Sequence, residues 1–286
     1  MEADRAPLAL LIDGHNMIFR AFSSVPRSIV DRDGEPVNGV YGLIGTILRL
    51  ITDRQPVYLV VAFDVPEVPT YRHHLYPAHQ GKRGPLSGDM ADNFARQVEQ
   101  AKRVLDQIGL RWLVAPRFEA DDIIATLARA AAAIEVPSMI VSNDRDLQQL
   151  VGPLVRVLIP GSKSLLIGPS EVQDRLGVPP ERIVDWKVLA GDPSDNIPGV
   201  PGIGVKSAVT LVTEFGSWES VYEQLDQVPA RQRQALEAGY ESAKLFEDVV
   251  RLHTDLELDV EIEDLRVDYT RLPERAGDAL RDTGLR

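Results

Sequence analysis

The chain has 286 residues, of which 44% are hydrophobic and 26% charged, with a formal net charge of −12 and no cysteine. This is globular composition, long enough for one large domain or two smaller ones, and it excludes disulfides, cysteine-ligated zinc and thiol catalysis. Residues 1–7 lack a signal-type apolar region and no apolar run is long enough to span a bilayer, so the expected setting is the cytoplasm; the acidic balance disfavours a nucleic-acid binder unless many carboxylates are gathered in one metal-filled site.

In chain order, residues 8–12 form a continuous apolar run ending at Asp13-Gly14, the pattern of a strand buried on both faces. Residues 15–22 read as a helix. Residues 24–38, with Asp33-Gly34 and two prolines, read as a turn-rich connection. Helical spacing then runs through Val40, Leu43, Ile44, Ile47, Leu48 and Ile51. A second buried strand, 57–63, again ends at an aspartate, Asp64. From 65 to 89 prolines, glycines, tyrosines and basic or histidine residues follow without amphipathic period, so a long exposed loop is expected. Helix 92–108, strand 111–114, an Ala/Leu-rich helix through 123–134, strand 138–141, a short helix 146–151 and strand 155–159 follow. This alternation predicts an α/β fold with a mostly parallel, doubly wound sheet. Beyond about 168 the pattern is helical, at 169–176, 181–189, 205–214, 218–225 and 229–251. The expected division is therefore a core at 1–167 and a helical subdomain at 168–286. Residues 255–286 are acidic with a candidate last helix at 273–280 and no readable role.

Glu119, Asp121 and Asp122 fall in the first turn of the 123–134 helix. One or two acids there cap free N–H groups and suit the dipole. Three within four residues repel one another, and as hard oxygen ligands they suit Mg²⁺ or Mn²⁺. Taken alone, the metal and capping readings stand level. Asp13, Asp64 and Asp144 shift the balance, because each ends a strand where a parallel sheet places its ligand crevice. A second stretch, residues 191–208, adds Asp192 and Asp195 in a Pro/Gly-punctuated loop. There Gly199-x-x-Gly202-x-Gly204 opens directly into a helix bearing Lys206 and Ser207. No strand precedes these glycines, so a dinucleotide site is excluded. A hairpin gripping a nucleic-acid backbone by sequence-independent phosphate contacts fits them.

Leu11-Ile12-Asp13-Gly14-His15, Val61-Ala62-Phe63-Asp64, Phe118-Glu119-Ala120-Asp121-Asp122, Ser142-Asn143-Asp144-Arg145-Asp146 and the block 191–206 stand in this order with this spacing. Together they resemble the 5′-nuclease family: the 5′→3′ exonuclease domain of bacterial DNA polymerase I, its stand-alone homologues and flap endonucleases. The resemblance covers residues 8–256, and with no polymerase segment following, the chain resembles a stand-alone bacterial member. It implies a PIN-like core and a helix–three-turn–helix that grips duplex DNA through Gly199, Gly202, Ile203, Gly204, Lys206 and Ser207. A monovalent cation, K⁺, would be held there by the backbone of Val200 and Ile203. It also implies two divalent metals (Mg²⁺ or Mn²⁺), with Asp13, Asp64, Glu119, Asp121 and Asp122 serving the tighter site and Asp144, Asp146, Asp192 and Asp195 the second. Nine such carboxylates set aside from −12 leave −3, compatible with DNA binding.

By the same resemblance residues 65–89 form the arch enclosing a single-stranded 5′ end, and Arg20, Arg72 and Arg83 hold the scissile phosphate. The sequence departs from the pattern at His79-Gln80, where bacterial relatives carry Tyr-Lys; Lys82 restores a charge in a different register, and His73, His74 and His79 are expected to be exposed polar residues. The implied activity is structure-specific 5′→3′ exonuclease and flap endonuclease hydrolysis in primer removal and repair. The implied substrates are 5′ flaps, nicked or branched duplex and RNA–DNA hybrid, and the implied enzyme is a monomer associated with the nucleoid. The competing reading is a branched-DNA-binding protein that has lost efficient cutting. A ribonuclease or a small-substrate phosphatase fits less well, since neither needs the helical hairpin or the long basic loop.

Overall fold

The computed structural model describes residues 7–66, 68–81, 86–161 and 163–282. In chain order its elements are β1 (Ala9–Asp13), α1 (Gly14–Ser24), α2 (Asn38–Arg54), β2 (Tyr58–Ala62), α3 (Tyr71–Leu75), α4 (Asp89–Ile108), β3 (Arg111–Leu113), α5 (Ala120–Ala133), β4 (Ser138–Val141), β5 (Val155–Ile159), β6 (Leu165–Ile167), α6 (Pro169–Leu176), α7 (Ile183–Ala190), α8 (Val205–Phe215), α9 (Trp218–Glu223), α10 (Ala230–Val250) and α11 (Leu272–Asp282). Among the described residues the strands form one six-stranded sheet ordered β3-β2-β1-β4-β5-β6, parallel except for β6.

The apolar runs explain the layering. Every residue of β1, β2 and β4 is buried, and side chains alternate between two cores because strand side chains have a period of two. Leu11, Val60, Ile140 and Val157 face the core shared with α5 and the later helices. Leu10, Ile12, Leu59, Val61 and Val141 face the core built on α1, α2 and α4. Register sets the functional edge. Ile12 stands opposite both Val61 and Val141, so β1, β2 and β4 end flush and Asp13, Asp64 and Asp144 emerge along one rim.

The helical predictions after residue 168 match elements within a few residues, and 169–176 coincides with α6. Two short elements escaped the sequence reading. β6 pairs antiparallel with β5 while leaving Leu165 and Leu166 exposed, so its three residues carry no burial period. The expected loop 65–89 contains α3 and is not exposed throughout. Its anchors are scattered contacts to distant residues: Tyr71 sits 4.5 Å (ring centroids) from His253, Tyr76 sits 5.4 Å from Phe246, and Arg72 is forked onto Asp122. Scattered contacts of that kind give no periodicity. Residues 262–282 return to the sheet. The Val267 N–H donates to the Val57 carbonyl (2.9 Å), and α11 lies against α4 with Leu272, Ala276 and Ala279 in the core.

Candidate metal centre

Beyond the carboxyl ends of β1, β2 and β4 lies a cleft of about 460 Å³ whose walls carry Asp13, Asp64, Glu119, Asp121, Asp144, Asp146 and Asp195. Each acid is fixed by local folding. Asp13 ends β1 and caps α1, its Oδ1 accepting the Asn16 N–H (3.0 Å) and its Oδ2 the Ser142 hydroxyl (2.7 Å). Asp64 accepts the Ala120 N–H (2.8 Å), joining the end of β2 to the start of α5, and its other oxygen lies 3.8 Å from His15 Nδ1. The Asp144 N–H donates to Ser142 Oγ (2.9 Å) and its carboxylate receives the Asp146 N–H (2.9 Å). Ser142 and Asn16, which accepts the Asn143 N–H (3.1 Å), therefore tie the two central strand ends together.

Charge is crowded here. Burial, and then the neighbouring Asp64, push the Asp13 carboxyl from 3.8 up to about 7. Asp121 is pushed well above its ordinary value by burial and then by Asp144, Asp13, Asp146 and Asp64. A second group forms beside it, where ligand atoms of Asp146, Asp192 and Asp195 all lie within 4.8 Å of one another. Acidic oxygens crowded in a cleft until protonation is favoured are a donor set suited to hard divalent cations. Because a bound cation requires ionised Asp13, metal binding near pH ~6 is expected to release about one proton from it, and little above pH ~8.5. Calorimetry in buffers of different ionisation enthalpy checks this.

Two of the nine carboxylates are not on the wall of this cleft: Asp122 lies behind it, and Asp192 meets it only through the group it forms with Asp146 and Asp195. Asp122 is fully buried behind it, where it receives both terminal nitrogens of Arg72 (2.7 and 2.8 Å) as well as the N–H groups of Glu119 (3.1 Å) and His253 (3.0 Å). Asp192 is paired with Lys187 (2.5 Å) and accepts the Ser194 N–H (2.9 Å). Arg72 is itself 2% exposed and also donates to the Val249 carbonyl (2.9 Å), so its guanidinium is committed to fastening α3 to α5 and the end of α10. Arg20 is half-buried on α1 beside Gly161, away from the cleft wall. Lys82 and Arg83 lie outside the described residues.

The expectation of three exposed histidines fails for His79, which is 4% exposed with Nε2 3.2 Å from Glu119 Oε1, and for half-buried His73, whose ring packs on it at 5.3 Å. Only His74 of the three is exposed. The physical reason is that this segment folds over the cleft. The Gln80 N–H donates to the Asp195 carbonyl (3.0 Å), Tyr76 Oη donates to the Asn196 carbonyl (3.0 Å), and Asn196 Nδ2 donates to the Ala78 carbonyl (2.7 Å).

Lys187, Asn196 and Ser142 were missed by the sequence reading. Lys187 alone had a signal, as the one cation of the largely apolar stretch Ile183 to Ala190, five residues before Asp192. The expected hairpin is α7, a 3-10 turn (Pro193–Asp195), a loop and α8. Gly191 (φ +80°) and Gly199 (φ +66°) lie back to back, where a Cβ on either would strike the other's backbone; they are packing glycines. Gly202, Gly204, Val205 and Lys206 instead present an exposed helix N-terminus, with Ser207 half-buried behind them. Val200 and Ile203 are buried, and the Val200 carbonyl accepts the Ile203 N–H (3.0 Å).

Comparisons with known proteins agree with this geometry. The family model described as the N-terminal resolvase-like domain of 5′-3′ exonuclease matches residues 8–177, and that of the C-terminal SAM fold matches 178–272. The chain is 42% identical over 259 residues to the thermostable DNA polymerase I of Thermus filiformis, covering 90% of this chain and 30% of that one. It is 36% identical over 260 residues to DNA polymerase I of Mycobacterium tuberculosis, covering 89% and 28%. It thus spans under a third of these relatives. In fold it is similar to T5 5′-exonuclease with bound zinc (TM-score 0.72, 20% identity, 96% and 98% covered) and to the catalytic core of Rad2 with DNA substrate (0.58, 15%, 98% and 88%). Among the described residues no helix is long and apolar enough to cross a membrane. With both of its modules matched in order over nearly its whole length, the chain belongs to the 5′-3′ exonuclease family.

Proposed function

We propose that the chain hydrolyses DNA phosphodiesters near 5′ ends, at flaps, nicks and branched duplexes, leaving a 5′-phosphate and a 3′-OH. The observation that carries this reading is the convergence of seven carboxylates, from strand ends, the start of α5 and two 3-10 turns, on one cleft beside a helical hairpin with an exposed N-terminus. When bound, two divalent cations, Mg²⁺ or Mn²⁺, would supply an activated water and neutralise charge on the leaving oxygen. Asp13, Asp64, Glu119 and Asp121 would hold one cation, and Asp144, Asp146, Asp192 and Asp195 the other. Asp122 and Arg72 would position that set without touching substrate.

Residues 1–167 would carry most of the acids, and 168–286 the duplex grip. The N–H groups of α8 and Lys206 would bind phosphates without reading sequence, and a K⁺ ion at Val200 and Ile203 would reinforce them. Similarity to DNA polymerase I supports DNA replication and repair as the setting, with primer removal as the step. The protein would then act in the cytoplasm at the nucleoid, as a monomer on DNA and RNA–DNA hybrid.

The test compares a 5′-labelled flap duplex with plain duplex and single strand, in Mg²⁺, Mn²⁺ or EDTA, alongside Asp144→Asn. Metal-dependent cutting at the flap junction, absent from the variant, is expected. Tight flap binding without cutting in either metal refutes hydrolysis and leaves a branched-DNA-binding protein.

A further inference from the structure

The two carboxylate groups are compensated unequally. Among the described residues no lysine or arginine is paired with Asp13, Asp64 or Asp121, and the basic side chain that approaches them is His15, 3.8 Å from Asp64; Glu119 of the same set lies 3.4 Å from Arg72, whose guanidinium is already forked onto Asp122. The group of Asp146, Asp192 and Asp195 contains a resident ammonium. Lys187 Nζ lies between Asp146 and Asp192, at 2.5 Å from the latter and in still closer contact with the former. Its stem rises from α7, a helix whose Ile183, Val184 and Val188 are buried, and the side chain is 4% exposed. A buried lysine keeps its charge only with acceptors of this kind, and it cannot swing into water without abandoning them.

We propose that Lys187 is a built-in counter-cation of the second carboxylate group, which weakens that group for a divalent ion until a phosphodiester brings further negative charge into the cleft. This rests on the two-metal reading above. The argument is electrostatic. A divalent ion arriving among Asp146, Asp192 and Asp195 must either displace a monovalent charge already held there or bind beside it against repulsion, and both lower its affinity. In the other set Arg72 stands 3.4 Å from Glu119 but is held by both Asp122 oxygens, so it competes less and that set fills first. The consequence is order: the second ion is retained only with substrate, so the free protein does not assemble a complete hydrolytic site.

The test is Mn²⁺ binding to the full chain without DNA, by calorimetry and by the electron paramagnetic resonance signal of free Mn²⁺, for wild type, Lys187→Met and Lys187→Arg. The methionine variant keeps the stem and removes the charge. It is expected to tighten the second binding step by about tenfold or more, with the first step unchanged. The arginine variant keeps the charge and is expected to stay close to wild type. In EDTA the methionine variant should melt lower than wild type, because Asp146 and Asp192 lose their partner, and Mn²⁺ should raise its Tm more than it raises that of wild type. An unchanged first step reports an intact fold; beside it, an equal or weaker second step in Lys187→Met overturns the inference alone. Absence of Mn²⁺ binding in every protein overturns the two-metal reading and the inference with it.

Discussion

Arg72→Ala is expected to destabilise the protein by about 3–5 kcal/mol, because it leaves Asp122 charged, fully buried and without a cation. For a chain of this size that is a fall in Tm of about 10 °C or more. Arg72→Lys should recover only part of it, since an ammonium cannot fork onto both Asp122 oxygens while also reaching the Val249 carbonyl. Arg72→Ala combined with Asp122→Asn should lose less than Arg72→Ala alone, because the orphaned charge is gone. Denaturant or thermal melts of the four proteins decide the matter. A residue that served only to hold a phosphate would behave otherwise, with cleavage lost and Tm unchanged, and that result would show that the buried pair is not what fastens the segment to α5.

Asp121→Asn is expected to have effects of opposite sign on activity and on metal-free stability. Cleavage should fall by at least about 100-fold, since residues that merely orient metal ligands already cost 10–100-fold when removed. Stability in EDTA should rise. The Asp121 carboxyl is held well above 3.8 by burial and by Asp144, Asp13, Asp146 and Asp64, so its ionised form is penalised in the folded state. The sign follows from linkage. Below pH ~4 the carboxyl is protonated in folded and unfolded chains alike and the substitution gains nothing; as pH rises above that, the penalty grows and asparagine avoids it. Melting curves in EDTA across pH 4–9, beside flap cleavage in Mg²⁺, test both halves. A variant that loses cleavage while its metal-free Tm falls at high pH would mean that the cluster is not under electrostatic strain.

Much of the fold was legible because its signals are local. The runs ending at Asp13 and Asp64 are buried on both faces and therefore continuously apolar, and the helices after residue 168 carry unbroken periods between glycines and prolines. The acids at strand ends were legible for a related reason: in a parallel sheet the carboxyl edge is one place, so aspartates that end separate strands must meet there. What misled was segment 65–89. Its order depends on Tyr71 against His253, Tyr76 against Phe246 and Arg72 on Asp122, partners between 50 and 182 residues away, and no window of the sequence contains both members of any such pair.

The sequence by itself determined the layers, the strand-end acids and the glycine hairpin, because burial period, turn chemistry and the geometry of a parallel sheet act over a few residues or one repeating unit. The tertiary structure alone decided which acids share the cleft and which face a cation. Asp121 and Asp122 are adjacent in the chain, yet helix geometry turns their side chains about 100° apart, so one faces the cleft and the other faces Arg72. Lys187 entered the same way: its charge was visible among the apolar residues of α7, but its place between Asp146 and Asp192 depends on α7 packing beside the 3-10 turn that carries Asp146. Pairing of charges across the fold is a property of distance in space, and sequence spacing does not encode it.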